Sequence, residues 1–196
     1  MHLYYVLTVD QRSSRTTADL VPEATTAYAE GAALPFERTA GDEIQAVYGD
    51  PGAVATVIER LLRSEQWNIG LGIGEIELPL PENARAGRGP AYLHARSAVT
   101  RAKSSPGRIC VVGADDYRAR QLETVLWLWA TLLARRTDGG WEVADRLAEG
   151  LNHQAVGQRL GISQSAVTQR ARAANLTEGQ RAKELVEQML HEMKEG

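Results

Sequence analysis

A chain of 196 residues with net charge −3, 43% hydrophobic and 24% charged, has enough apolar material for one large core or two small ones. Its one cysteine, Cys110, excludes a disulfide framework within the chain and argues against a zinc cluster. The opening MHLYYVLTVDQ lacks a signal peptide's basic region and apolar stretch, and the longest apolar run, Val125–Ala134, is about half the ~20 residues of a membrane span, so a cytoplasmic protein with no membrane partner is expected.

The first hundred-odd residues alternate strand-like and helix-like segments. Leu3–Val9, β-branched and aromatic, predicts a buried strand that runs into Asp10-Gln11-Arg12-Ser13-Ser14-Arg15. A helix follows from Pro22 to about Glu30, with proline suited to its first turn. Phe36–Ala40 and Ile44–Tyr48 predict a hairpin closed at Gly41-Asp42-Glu43. Val54–Arg63 carries Val54, Val57, Ile58, Leu61 and Leu62 at helical spacing. Trp67–Leu78 predicts a strand whose Gly70, Gly72 and Gly74 leave one face bare, either for a closely packed helix or for a ligand. PLPENARAGRG (79–89) is a loop, whose Arg85 and Arg88 are solvated or close over an anion. Ala91–Lys103 predicts a helix, and Arg108–Val112 a last strand that buries Cys110 as a structural thiol. The order is that of a ferredoxin-like palm with one hairpin-like extension, placed at 1–114.

Strand signals stop after Asp115. Tyr117–Arg136 predicts a long helix, a connector spanning 115–137, which Asp138-Gly139-Gly140 breaks. Residues 138–176 predict a helix-turn-helix domain. Asn152 caps His153–Leu160, Gly161 supplies a left-handed turn residue, and Ser163 caps Gln164–Ala174. Val156, Leu160, Ile162 and Val167 form the shared core, and Gly157 permits close approach. The run resembles the helix-turn-helix family over about 22 residues, with Arg170 where an apolar residue is usual. That resemblance implies double-stranded DNA as partner, read by Ser163, Gln164, Ser165, Thr168, Gln169 and Arg172. Glutamine pairs with adenine, arginine with guanine, and serine or threonine with base edges or phosphate. Residues 152–183 hold five cations against one acid, so the acidic total does not oppose DNA. The tail, 177–196, opens with a capping box of Thr177 and Gln180. Its apolar stripe of Ala182, Leu185, Val186, Met189, Leu190 and Met193 predicts a homodimer interface, joined by Trp127 and Trp129 of the connector. The other course is for the tail to fold back on its own chain.

Asp10 ends the first strand and Asp42 sits at the hairpin tip, so in a palm they can face each other and hold a hard cation such as Mg²⁺ on a nucleotide's phosphates. Arg12, Ser13, Ser14 and Arg15 lie where phosphate would be met. A bare Gly-Asp turn needs no ligand at all.

RTAGDEI (38–44) is similar to the signature hairpin of GGDEF diguanylate cyclases, with Ala40 for the first glycine. Asp10 and Asp42 match the metal-binding aspartates of class III nucleotide cyclases, and Arg96 their helix arginine, while Tyr92 stands where those enzymes carry asparagine. With IGLGIGEI, GPAYLHARSAVTRAK and the helix-turn-helix, nearly the whole chain resembles the SatD-like family. The resemblance implies an α/β ferredoxin-like palm of nucleotide-cyclase type followed by an all-α helix-turn-helix domain. It implies metal at Asp10 and Asp42, and a purine nucleotide with Mg²⁺ near Arg12, Ser13, Ser14, Gly41, Glu43 and Arg96. Ala40 and Tyr92 weigh against catalysis, and no catalytic residue is assigned. The expected function is a sequence-specific DNA-binding transcriptional regulator gated by a nucleotide or metal-nucleotide. An active nucleotidyl cyclase with a DNA-binding attachment, and a protein-interaction module, stand as alternatives.

Overall fold

The computed structural model describes residues 3–195, with the backbone alone at 195, so the outermost expected segment limits, 1 and 196, lie outside it. In chain order the elements are β1 (Leu3–Gln11), α1 (Val21–Ala27), β2 (Leu34–Ala40), β3 (Glu43–Tyr48), α2 (Pro51–Ser64), β4 (Trp67–Glu75), α3 (Pro90–Ala102), β5 (Ile109–Val112), α4 (Asp116–Leu133), α5 (Asp138–Ala148), α6 (His153–Leu160), α7 (Gln164–Ala173) and α8 (Leu176–Glu195). The five strands form one mixed sheet in the order β2-β3-β1-β4-β5. β1 lies antiparallel between β3 and β4, and β5 joins parallel to β4, across α3, rather than as part of a hairpin. Among the described residues no helix is long and apolar enough to cross a membrane.

Alternation along the strands gives the sheet two different faces. Tyr5, Leu7 and Val9 of β1, with Ile44, Ala46 and Tyr48 of β3 and Ile69, Leu71 and Ile73 of β4, point into the main core. Helices α2, α4 and α8 cover that face. On the opposite face, Val6 and Val47 meet α3 and the loop residue Ala84. Gly70 and Gly72 let α3 lie directly on β4: a Cβ at Gly72 would sit 2.2 Å from the Ala91 carbonyl oxygen. The bare glycine face is therefore filled by a helix, not by a ligand. Arg85 and Arg88 are exposed.

Helix α4 is not a free connector. Leu122, Leu126, Trp129 and Leu133 are buried in the main core, and the Trp127 indole N–H donates to the Ile109 carbonyl at 2.8 Å. The tail stripe behaves likewise. Val186, Leu190 and Met193 of α8 are buried in the same core, and the buried Tyr5 hydroxyl donates to the Leu190 carbonyl at 2.8 Å. Most of the stripe expected to pair two copies is thus covered by α2 and α4 of its own chain, with Ala182 and Met189 partly buried and Leu185 still 44% exposed. The expected capping box is absent too: Gln180 donates to Glu184 at 3.0 Å, and Thr177 lies inside α8, which starts at Leu176 after Asn175 at φ 50°.

Asp138-Gly139-Gly140 forms the first turn of α5 rather than a break, because the Thr137 hydroxyl accepts from the Gly140 N–H at 3.3 Å. Both glycines face α7: a Cβ at Gly140 would stand 3.0 Å from that of Ala174, and one at Gly139 would stand 3.1 Å from the Arg170 guanidinium. A side chain at Gly140 would crowd Ala174, whereas one at Gly139 would displace only the flexible Arg170 side chain.

Candidate functional site

The three helices α5, α6 and α7 enclose a small core of their own, Val143, Val156 and Val167, with Leu147, Leu151, Leu160 and Ile162 packed around it. Local chemistry explains the bend between α6 and α7. The Asn152 side chain accepts from the Ala155 N–H at 2.9 Å, and the Ser163 hydroxyl accepts from the Ala166 N–H at 3.1 Å. Each satisfies an otherwise orphan donor of a helix's first turn. Between the two helices Gly161 takes φ +64°, and a Cβ on Gly157 would meet the Ile162 carbonyl at 2.7 Å.

That bend leaves Ser163, Gln164, Ser165, Thr168, Gln169 and Arg172 all exposed. They are not equally available. The Thr168 hydroxyl donates to the Gln164 carbonyl at 3.1 Å and lies 3.0 Å from the His153 Nδ1, while Ser163 and Ser165 hydrogen-bond each other. Arg170 is exposed, in an ion pair with Glu142 at 3.7 Å. Gln164, Gln169 and Arg172 carry the uncommitted donors of this helix.

A second feature lies at the edge of the sheet: a cavity of about 860 Å³ where the end of β1 meets the β2–β3 turn. Asp10, Arg12, Ser13, Ser14, Gly41 and Asp42, all singled out in the sequence, line it together. Buried Gln11 shapes the loop after β1: its amide donates to the Ala18 carbonyl at 2.6 Å and to the Thr17 hydroxyl at 3.0 Å, and its oxygen accepts from the Leu20 N–H at 2.9 Å. The Ser14 hydroxyl donates to the Asp42 carboxylate, tying this loop to the hairpin.

Two expected residues are not in the cavity. Glu43 lies beside Asp10 in the sheet, but its carboxylate turns to accept from the Thr39 hydroxyl at 2.6 Å. Arg96 is exposed on α3 and does not line the cavity. Conversely, Asn68, Lys103, Arg38 and Asp19 line it without having been marked as site residues. Asn68 sits directly across from Asp10 in the β1–β4 register, whereas Lys103 lies at the end of α3, 93 residues away in the chain. Pairing the glycine strand with the first strand would have pointed to Asn68; nothing local marks Lys103.

The cavity and the α5–α7 unit are joined through the α2–β4 turn. Arg12 donates its backbone N–H to the Gln66 carbonyl at 2.8 Å and its guanidinium to the Glu65 carbonyl. Two residues before Glu65, Arg63 forms a two-pronged ion pair with Asp145 of α5 at 2.7 and 2.9 Å. Two guanidiniums lie against the Trp141 ring, Arg63 at 4.3 Å and Arg136 at 4.6 Å from its centre. Arg136 is buried, and it donates to the Ala174 carbonyl at 3.0 Å.

The SatD family model matches residues 8–190, and the chain belongs to the SatD family. No curated protein and no solved structure matches it.

Proposed function

We propose that this SatD-family protein is a sequence-specific DNA-binding transcriptional regulator, gated by a nucleotide-class ligand in the cavity at the end of β1. The exposed polar face of α7, with Gln164, Gln169 and Arg172 uncommitted on a capped helix held at a sharp bend to α6, carries the reading. Residues near the N-terminus of such a second helix are the ones that reach base edges in the major groove. Gln164 and Gln169 suit adenine, and Arg172 suits guanine or phosphate. In this reading α5–α7 is a helix-turn-helix unit. The β-α-β-β-α-β order of the first four strands, with β1 between β3 and β4, supports a ferredoxin-like palm of nucleotide-cyclase type as the sensing part.

One unit of this size buries too little DNA for tight selective binding, so two copies acting on half-sites one helical turn apart complete the proposal. They meet through a face other than the covered side of α8. An active nucleotidyl cyclase is not proposed, because Arg96 stands outside the cavity and the Tyr92 ring is packed against Gly87.

The test is selection of bound fragments from sheared genomic DNA by the purified protein at fixed salt, followed by mobility shift with the enriched sequence. A shared motif with two related halves is expected. Fragments retained without any common motif, or none retained, would overturn the reading.

A further inference from the structure

We infer that the cavity takes a phosphate-bearing ligand without a divalent cation, because Lys103 already occupies the position at Asp10 that a metal would need. The inference rests on reading the cavity as a ligand site.

Mg²⁺ at a nucleotide site is held by one or two carboxylates, with water and substrate phosphates filling its other positions, so the state of Asp10 and Asp42 decides whether it fits. Asp10 is largely enclosed, with 13% of its side chain exposed. Both its oxygens are engaged: Oδ1 accepts from the Asn68 side-chain amide at 3.0 Å, and Oδ2 from the Lys103 ammonium at 2.9 Å. Asn68, 6% exposed on β4, donates from a buried position, and its own Oδ1 has no partner among the described residues. Asp42, the partner expected for Asp10 around Mg²⁺, accepts from the Ser14 hydroxyl. Asp19 is paired with Arg38 at 2.5 Å. With an amide on one oxygen and an ammonium on the other, Asp10 is closed to the Mg²⁺ that the aspartate pair suggested, and Asp42 keeps one open oxygen.

They fit an anion. Arg12, Arg15, Arg38 and Lys103 face Asp10, Asp19 and Asp42 across the cavity, leaving one net positive charge. Arg15 is exposed, and the contacts of the described residues give its guanidinium no partner. The hydroxyl of Ser13 adds a neutral donor on the same loop. Lys103 keeps two ammonium N–H groups beyond the one given to Asp10, and a lysine donates as a compact charge in several directions. It thus cancels the aspartate that would repel phosphate and supplies donors of its own. The work a metal does elsewhere is done by an amine at the end of α3.

The experiment is titration calorimetry of the full chain with inorganic tripolyphosphate, GTP, ATP and cyclic di-GMP, each in EDTA and in Mg²⁺. Wild type binds at least one of them equally well in both buffers. Lys103→Ala leaves Asp10 Oδ2 without its cation, so affinity in EDTA falls by about tenfold or more, the scale of one lost charge-assisted contact. Mg²⁺ then restores it, having gained a free carboxylate. The half-exposed Lys103 side chain makes this variant safe for folding, which its melting curve checks. Arg15→Ala weakens binding in both buffers. Wild type that binds only with Mg²⁺ overturns the metal-free inference and leaves the cavity a ligand site; wild type that binds none of the four in either buffer overturns both. DNA binding by ligand-free wild type, measured separately, tells those failures from failure of α7.

Discussion

Gly70 and Gly72 fix how close β4 and α3 can come. Their Cβ atoms would lie 2.3 Å from the Val99 nitrogen and 2.2 Å from the Ala91 oxygen, whereas one at Gly74 would be 3.1 Å from its nearest backbone atom. Backbone cannot step aside as a flexible side chain can. Gly70→Ala and Gly72→Ala should each destabilise by about 1–3 kcal/mol or more, and Gly74→Ala by clearly less. Urea denaturation of the three variants tests the order. Cys110 offers a second measurement at this scale. Burial first, then the neighbouring Glu123, pushes its thiol up to about 11 from 9.0. It should resist thiol reagents at neutral pH until the protein unfolds. An unfolded thiol ionises near 9 and the folded one near 11, so the neutral thiol's contribution is present below 9 and lost as pH rises between them. Fast labelling of native protein at neutral pH would contradict the buried placement.

At the scale of single helices, α7 and α8 present opposite cases. The face of α7 is free, so Gln164→Ala and Gln169→Ala should leave the melting temperature alone. Each should erase preference at one base, worth about 1–3 kcal/mol of discrimination. Arg172→Ala should weaken specific and random DNA more evenly if it meets phosphate. Unchanged affinities for all three variants at fixed salt would remove this helix from the interface. The inner face of α8 is core, so Leu190→Ala should cost about 2–5 kcal/mol. A chain ending at Leu176 should fail to fold rather than merely lose a partner, which circular dichroism and melting would register. The sequence showed α6 and α7 almost to the residue, because Asn152, Gly161 and Ser163 act on neighbours a few positions away. It showed that α8 has an apolar face but not what covers it, since periodicity carries no information about the partner. For the same reason Asp10 was legible and Lys103 was not: their contact depends on where the end of α3 lands. The Gly139-Gly140 pair misled because glycine ordinarily breaks helices. Here a strong cap and the need to admit α7 outweigh that tendency.

Across the whole molecule, the α5–α7 unit is tied at both ends to the sheet's core, by α4 before it and α8 after it. Arg136 is the buried member of the joint, reaching Trp141, the Ala174 carbonyl and, at 3.9 Å, Glu59. Glu59 also has Lys183 at 3.0 Å, so Arg136→Met leaves that acid paired and strands mainly the carbonyl, at a cost of about 1–3 kcal/mol. Its clearest sign should be faster hydrogen exchange across residues 138–175 while the sheet stays protected. Uniform loss of protection would mean that the joint and the sheet open together. The return of α8 also governs synthesis. Domains usually fold in the order they leave the ribosome. Here β1, the centre of the sheet, awaits Leu190 for its Tyr5 hydroxyl bond, a partner 185 positions later. The amino-terminal half therefore cannot mature while the rest is being translated, and a nascent chain must hold its sheet face exposed until α8 emerges. Such a protein should lean on chaperones during translation, and a stop codon anywhere before Val186 should yield no stable fragment able to bind DNA unregulated.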